Sequence, residues 1–283
     1  MVPELREHVL SYVQKSTLEY YAECSAYCNA EVQRFNRTAP EEIVFEEADD
    51  GVLVSLLYNS TTKKSYQKRN FMYSECSNIM EDVRIYILKC YKYVRGRPTE
   101  RLVMNMKKWP IELMNMNRLA EIDDFCVTIH QSMLGDFIEF ANRKQLGKIR
   151  FPNLNENEIT LPSEFFKSQL FKTSHVFTTR LPCAIEDDDF VDIQHSHIFL
   201  NSWISFEAIR RKVEKINMET QSVPQTIVLR LPNGDNRRYD EKAIFPMWRF
   251  PNQFIREDCK IKIGKVAVAV WPYFNRLQLF VGQ

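Results

Sequence analysis

The stretch FCVTIHQSMLGDFIEFANRKQLGKIRF, residues 125–151, holds one complete strand–helix–strand pattern. Residues 125–129 form a short, mostly apolar run that is typical of a strand, and residues 147–151 form a second. Between these runs, Met133, Phe137 and Ala141 recur at the spacing of one helix face. We therefore predict two strands joined by a helix, which places the chain in the α/β class.

The same pattern recurs along the middle of the chain. Strand-like segments are centred near residues 103, 127, 149, 176 and 198. Helix-like segments cover residues 77–95, 110–119, 133–141, 165–170 and 203–216. One strand and one helix every 20–29 residues or so is typical of a leucine-rich-repeat-like solenoid. Because the consensus leucines and the asparagine ladder are missing, we expect a degenerate β/α array; an ordinary α/β sandwich is the alternative.

Other patterns flank this array. Residues 42–58 predict a β-hairpin that turns at Asp49-Asp50-Gly51, and residues 59–70 predict a loop or an edge strand. After Pro224, short apolar pieces alternate with turn residues, which predicts an antiparallel sheet of four or five strands that caps the solenoid. The predicted organisation is two short helices (1–38), a hairpin and loop (39–75), strand–helix repeats (76–222) and an antiparallel β region (223–283).

Composition excludes several classes of protein. The chain has 283 residues, a net charge of +1 and only 7 glycines, and it contains no GxGxxG, GxxxxGK[ST] or GxSxG motif. Dinucleotide-binding folds, P-loop NTPases and α/β-hydrolases are therefore disfavoured. We find no HExxH motif and no nucleophile–base pair, so we expect no enzyme, no catalytic residue, no cofactor and no metal.

Cysteine usage and the termini bear on the compartment. The seven cysteines are odd in number and irregular in spacing, and the first residues lack the apolar segment of a signal peptide. The longest apolar run near the C-terminus, residues 266–271, is far shorter than the ~20 residues of a membrane span. We therefore expect reduced thiols, no membrane partner and a cytoplasmic or nuclear location.

A basic and aromatic stretch over residues 84–108 is one candidate site. Its candidate contact residues are Arg84, Lys89, Lys92, Arg95 and Arg97, interleaved with tyrosines. Cationic and aromatic side chains together can bind single-stranded nucleic acid. The solvated face of one helix, with its tyrosines packed inward, is the interpretation that we favour.

A second candidate lies around His195 and His197. Strand spacing would place both rings on one side, with Asp187, Asp188, Asp189 and Asp192 nearby, so that together they could hold a divalent metal. A solvated acidic loop beside two partly exposed histidines is the interpretation that we prefer.

The N-terminal residues carry a family resemblance. Residues 2–13, VPELREHVLSYV, and residues 16–32, STLEYYAECSAYCNAEV, resemble an F-box, which opens with an apolar residue and Pro-Glu and continues as two helices. The later order is similar to nematode-expanded F-box proteins with an F-box-associated (FTH-type) region. That order is a Cys24-Ser25-x-x-Cys28 run before an Ile-x-Phe-Glu strand, a helix, strand–helix units and a C-terminal aromatic sheet.

The resemblance implies a function. F-box helices place apolar anchors in a groove of a Skp-family adaptor, which is linked to a cullin. The residues that match those anchors are Pro3, Leu5, Val9, Leu10, Val13 and Leu18. The repeat region would then bind an unknown protein substrate, which makes the chain a substrate-recruiting subunit of a cullin-based ubiquitin ligase. The alternatives are an F-box-derived interaction scaffold without ligase activity and a nucleic-acid-associated factor.

Overall fold

The structure is a computed structural model with mixed α/β content, which confirms the coarse fold class. It describes residues 40–59, 64–91, 99–115, 122–152, 159–219, 224–232, 235, 237–239, 244, 261–271 and 276–282. The predicted N-terminal helix pair, residues 1–38, lies outside the described residues. Among the described helices, none is both long and apolar enough to cross a membrane.

The elements alternate along much of the chain. The strands are β1 (Glu42–Glu47), β2 (Gly51–Asn59), β3 (Lys64–Met72), β4 (Arg101–Asn105), β5 (Asp124–Thr128), β6 (Lys148–Phe151), β7 (Val176–Pro182), β8 (His197–Asn201), β9 (Gln225–Arg230), β10 (Ile261–Ile263), β11 (Val266–Trp271) and β12 (Arg276–Val281). The helices are α1 (Ile79–Tyr91), α2 (Ile111–Met114), α3 (Leu134–Arg143), α4 (Ser163–Phe166), α5 (Gln169–Thr173), α6 (Asp187–Val191) and α7 (Phe206–Met218). A 3-10 turn, Gln131–Met133, precedes α3.

The chain divides into two compact units. The first runs to Met104 and includes Pro110–Ile122, whereas the second consists of Asn105–Trp109 and the chain from Asp123 onward. The strand near residue 103, which the sequence pattern counts with the repeats, is β4 and lies beside β1 in the first unit.

The first unit contains four strands in the order β4-β1-β2-β3, in which β2 runs antiparallel to both β1 and β3. β1 and β2 form the hairpin predicted at Asp49-Asp50-Gly51, and the Ala48 N–H donates to the Gly51 carbonyl at 2.9 Å. Gly51 is required because a Cβ atom there would lie 2.0 Å from the Phe71 carbonyl oxygen of β3. The segment predicted as a loop or an edge contains β3, which pairs with β2 alone among the described strands.

One face of this sheet is packed against α1. Alternate residues of β1 and β2 point to this face, because side chains of a strand alternate between its two sides. The buried side chains of this core include Ile43, Phe45, Val54, Leu56, Val83 and Ile87. The apolar stripe of α1 thus covers the sheet, as its period of about 3.6 residues requires.

The second unit is built on five parallel strands. β5, β6, β7, β8 and β9 are neighbours in chain order, and each pairs with the next in parallel. Their register aligns one apolar residue from each strand: Phe125, Ile149, Phe177, Ile198 and Ile227. All five are buried. Through its pairing with β8, β9 therefore belongs to the parallel array. The sequence pattern predicts instead that it lies wholly in an antiparallel sheet.

Three antiparallel strands complete this sheet. β12 pairs with β9, β11 pairs with β12, and β10 pairs with β11. The turn from β10 to β11 is closed by Gly264, which has a φ of 62°. The sequence pattern after Pro224 also includes a short apolar piece at residues 243–250, of which only Ile244 is described.

Aromatic rings form the core of the second unit. Phe177 of β7 lies 5.1 Å from Phe171, 5.8 Å from Phe165 and 5.9 Å from Phe151, measured between ring centroids. Phe165 also stacks on Phe137 of α3 at 5.7 Å. Since α3, α4 and α5 all supply rings to it, these helices lie on the inner side of the sheet, the side to which Phe177 points.

Two local predictions need correction. Residues 187–191, predicted as an acidic loop, form α6, whose acidic first turn is favourable at the positive end of a helix. The single helix predicted over 165–170 is two helices, α4 and α5. The helical segment is interrupted at Ser168. The Ser168 hydroxyl accepts a hydrogen bond from the Phe171 N–H at 3.3 Å and so caps α5.

Candidate binding surface

The outer face of β6, β7 and β8 is a candidate surface built on adjacent strands. It alternates with the buried residues, so in β6 Lys148 and Arg150 point outward while Ile149 and Phe151 are buried. We call it the outer face, and its residues are Lys148, Arg150, Val176, Thr178, Arg180, His197 and Phe199. The strand register aligns these residues in two rows, Lys148–Val176–His197 and Arg150–Thr178–Phe199.

Ion pairs order one end of this face. Arg150 Nε lies 3.2 Å from Asp124 Oδ1, and Lys148 Nζ lies 3.6 Å from Asp123 Oδ2. The Lys148 and Arg150 side chains nevertheless keep 36% and 40% of their surface exposed. The remaining cation, Arg180, is exposed on β7. The face therefore presents positive charge beside half-buried apolar side chains, a mixture typical of protein-binding surfaces.

The structure separates the two histidines that the sequence pattern placed together. His197 begins β8 and is exposed, but His195 precedes the strand, so the alternation of a strand does not apply to it. The His195 ring lies 4.4 Å from the Phe171 ring, and its Nε2 lies 3.0 Å from Ser174 Oγ. Burial lowers the pKa of His195 to about 4, so its ring is neutral at neutral pH.

The acidic residues near these histidines bind basic side chains. Asp188 accepts hydrogen bonds from Arg211 at 2.9 Å, and Asp192 accepts one from Lys215 at 2.7 Å. Asp187 Oδ1 accepts a hydrogen bond from the Ser205 N–H at 3.2 Å. In the described part of the chain, no three potential metal ligands converge. This acidic segment therefore joins α6 to α7, which is a different role from the metal site considered above.

Lys212 is a buried lysine that the sequence reasoning missed. It is 2% exposed, and its Nζ donates to the carbonyls of Val191 (3.1 Å) and Ile193. Desolvation lowers the pKa of Lys212 to about 8. The sequence pattern did indicate its burial, because Lys212 lies three residues after Ile209 and four before Ile216, on the apolar stripe of α7.

An aromatic cluster that no motif indicated joins the loops after β8 and β9. The rings of Trp203 and Tyr239 stack at 5.2 Å, and the Arg237 guanidinium lies 4.8 Å from the Trp203 ring centroid. Tyr239 donates its hydroxyl to the Ser202 carbonyl at 2.9 Å and accepts from the Ile204 N–H at 3.2 Å. The polar atoms of Tyr239, Ser202 and Ile204 named here are paired with one another. The cluster therefore has a structural role, in which it connects the two loops.

The basic patch over residues 84–108 is described only in part. Arg84 donates two hydrogen bonds of 2.6 Å to Glu81, and this carboxylate raises the pKa of the Arg84 guanidinium. Lys89 is exposed on α1. Three of its candidate residues lie outside the described residues: Lys92, Arg95 and Arg97. The structure thus brings Arg84 and Lys89 onto one helix and leaves the patch as a whole untested.

The candidate adaptor anchors also lie outside the described residues. They are Pro3, Leu5, Val9, Leu10, Val13 and Leu18. Comparisons with protein-family models, with curated proteins and with solved structures found no match to this chain. Function therefore has to be argued from the sequence pattern and from the geometry of the described residues.

Proposed function

We propose that this protein is a substrate-recruiting, F-box-type subunit of a cullin-based ubiquitin ligase. The observation that carries the proposal is the array of parallel strands in chain order, which supports a leucine-rich-repeat-like solenoid. Strands β5 to β9 begin at residues 124, 148, 176, 197 and 225. A recurrence in this range, with a helix or loop in each gap, is typical of a β/α solenoid.

The outer face is the proposed substrate-binding surface. Strands hold its side chains rigidly, which lowers the entropy lost when a partner binds. Phe199 and Val176 supply apolar contact, and Arg180 supplies an exposed guanidinium, a group that is enriched in protein interfaces. The target would therefore be a protein surface with apolar and acidic side chains.

The N-terminal segment would bind the adaptor. Pro3, Leu5, Val9, Leu10, Val13 and Leu18 match the anchors by which F-box helices occupy the groove of a Skp-family protein. The chain then needs no catalytic residue, since holding a target lysine near a charged conjugating enzyme supplies the rate enhancement of proximity. This role places the protein in the cytoplasm or the nucleus.

Adaptor binding is tested by co-expression of the full chain with a Skp-family adaptor. We expect a 1:1 complex that the double substitution Leu5→Glu/Val9→Glu abolishes, because charged side chains cannot enter an apolar groove. Lys172→Glu, an exposed site on α5, is the matched control and keeps the complex. Failure of the wild-type chain to bind at micromolar adaptor would refute the ligase role and favour the scaffold alternative.

Substrate binding is tested separately with the adaptor complex. Proteins that co-purify with the wild-type complex but not with an Arg180→Glu/Phe199→Ala variant would identify the target and the face that binds it. The adaptor must remain bound in this variant, which shows that folding is intact. If the captured proteins are the same in both samples, the outer face is not the substrate site. The nucleic-acid alternative predicts salt-sensitive binding of an oligonucleotide at low ionic strength.

A further inference from the structure

The outward edge of β3 is a long strand edge that no other described strand pairs with. β3 pairs with β2 through nine consecutive residue pairs, from Gly51 with Met72 to Asn59 with Lys64, without a bulge. In the first unit it is the last strand of the sheet, and among the described strands none pairs with its other side. About half of its peptide groups therefore point away from β2 as a row of alternating donors and acceptors.

Of the usual devices that protect such an edge, β3 has basic side chains but neither a proline nor a bulge. Its nine residues, KSYQKRNFM, include no proline and no glycine, and the strand exceeds the usual length of about five or six residues. Four consecutive residues, Gln67 to Asn70, are exposed. The middle of the strand is therefore accessible to solvent in the described part of the chain.

Side-chain and backbone contacts within the first unit also hold β3 in position. The Arg69 guanidinium lies 5.1 Å from the ring centroids of both Phe71 and Tyr86, which ties β3 to α1. The Tyr73 N–H donates to the Asp50 carbonyl at 2.9 Å just after the strand ends. A pre-ordered edge costs less entropy to extend than a flexible one.

Charge selects the partner. Residues 64–72 contain Lys64, Lys68 and Arg69 and no acidic residue. A second copy of this strand would bring like charges together, which disfavours self-pairing, whereas an acidic strand would be attracted. We propose that β3 binds an extended acidic peptide segment of a partner protein, which adds to the sheet of the first unit as a further strand. This inference is independent of the ligase role.

A peptide fits this edge better than a nucleic acid does. Every second outward group on a strand edge is a carbonyl oxygen, which repels a phosphate but accepts a hydrogen bond from a peptide N–H. Nucleic-acid binding is therefore the outcome that the experiment must separate from peptide binding.

The first measurement is fluorescence anisotropy of the full chain with a labelled peptide of about ten residues that alternates valine or threonine with glutamate. We expect saturable binding that weakens as salt is raised. Lys68→Glu should weaken it by about three- to tenfold, because one exposed attractive charge becomes repulsive. Lys172→Glu changes the net charge equally but lies in the second unit, and it should leave the affinity unchanged.

The second measurement distinguishes strand addition from simple charge attraction. Hydrogen exchange of β3 should slow at alternate amides within residues 64–72 when the peptide is bound, because only outward N–H groups gain a partner. An acidic peptide of the same charge with prolines at alternate positions should give no such protection.

Three results would overturn the proposal. These are binding without alternate protection, an equal loss of affinity in Lys68→Glu and Lys172→Glu, or competition by a single-stranded oligonucleotide with the same sensitivity to Lys68→Glu. A dimer that forms without peptide and is lost in Lys68→Glu would assign the edge to a second copy instead. The adaptor complex is measured separately, so failure here leaves the ligase proposal standing.

Discussion

The two faces of strands β6, β7 and β8 in the second unit have opposite compositions. The inner face presents a buried apolar residue at every aligned position, from Phe125 to Ile227, and the helices add further rings to it. The outer face alternates cations with half-exposed apolar and polar residues, as in Lys148, Thr178 and Phe199. Parallel strands are usually covered on both faces, so their sequences usually lack this alternation.

This difference separates stability from binding. Substitutions on the inner face are expected to change the free energy of unfolding, because they leave cavities or unpaired groups in a close-packed core. Substitutions on the outer face are expected to change association with partners and to leave the fold intact. The following experiments are given in order of decreasing effect. Some compare a substitution on the inner face with one on the outer face, and others compare a destabilising substitution with a control substitution in the same unit.

The largest effect is expected from Phe177→Ala on the inner face. The ring is fully buried among at least three other phenylalanines, so its removal should lower the free energy of unfolding by about 3–5 kcal/mol. Phe199→Ala, on the outer face of the next strand, should cost about 1 kcal/mol, because that side chain is only partly buried. Urea unfolding followed by circular dichroism measures both, and equal losses would contradict the distinction between the faces.

The next effect concerns pH and the pair His195 and His197. Burial lowers the pKa of His195 to about 4 from the 6.5 of an exposed histidine, so the unfolded chain takes up the proton first as pH falls. Stability is therefore full above about pH 6.5 and should fall by about 2 kcal/mol at pH 5. Urea midpoints at both pH values test this.

The matched variants in this experiment are His195→Gln and His197→Gln. His195→Gln should remove most of the loss between neutral pH and pH 5, since glutamine does not titrate. His197→Gln should keep most of it, because His197 is exposed and its pKa is lowered to a lesser extent by desolvation. If both variants keep the full pH dependence, another group is responsible.

A smaller effect is expected where α7 meets the β10–β11 turn. Asn217 accepts from the Lys265 N–H at 2.7 Å and donates to the Ile263 carbonyl at 3.2 Å. Gly264→Ala should cost about 1–2 kcal/mol, because the positive φ disfavours a Cβ atom that would also lie 2.4 Å from Asn217 Oδ1. Gly135→Ala on α3 is the control: it meets no neighbour within 4 Å and should gain up to about 1 kcal/mol. Thermal unfolding of both variants gives the comparison.

The smallest effect is expected from the cap of α7. Ser205 Oγ accepts a hydrogen bond from the Ala208 N–H at 3.1 Å, so Ser205→Ala should lower the free energy of unfolding by about 1 kcal/mol. Ser205→Asn restores a side-chain oxygen that can cap and should recover most of the loss. An unchanged urea midpoint in Ser205→Ala would show that this cap does not contribute to the free energy of unfolding.

Much of the local structure was predictable from residue patterns. The hairpin at Asp49-Asp50-Gly51, helix α1 and most strands occur where periodicity and turn residues placed them, because each depends on neighbours within a few positions. The boundaries shifted where capping decides them. Ser168, for example, splits one predicted helix into α4 and α5, because its hydroxyl satisfies an N–H of the second helix.

The candidate sites were less predictable, since their chemistry depends on contacts between distant residues. His195 and His197 lie two positions apart, but only the packing of Phe171 against the first makes it buried and neutral. Lys212 lies on an apolar stripe, yet its partners are carbonyls 19 and 21 residues earlier in the chain. Spacing alone does not show such pairs.

The sequence by itself determined which residues alternate between core and solvent, because every second side chain of a strand, and every third or fourth of a helix, lies on the same face. It also determined the basic character of β3, because this charge depends only on the residues that the strand contains. Only the tertiary structure decided that β9 is parallel to β8, that β3 forms an edge, and that residues 187–191 are a helix pinned by α7. Strand order and direction are set by packing energies summed over many distant contacts, to which no single segment of the chain has access.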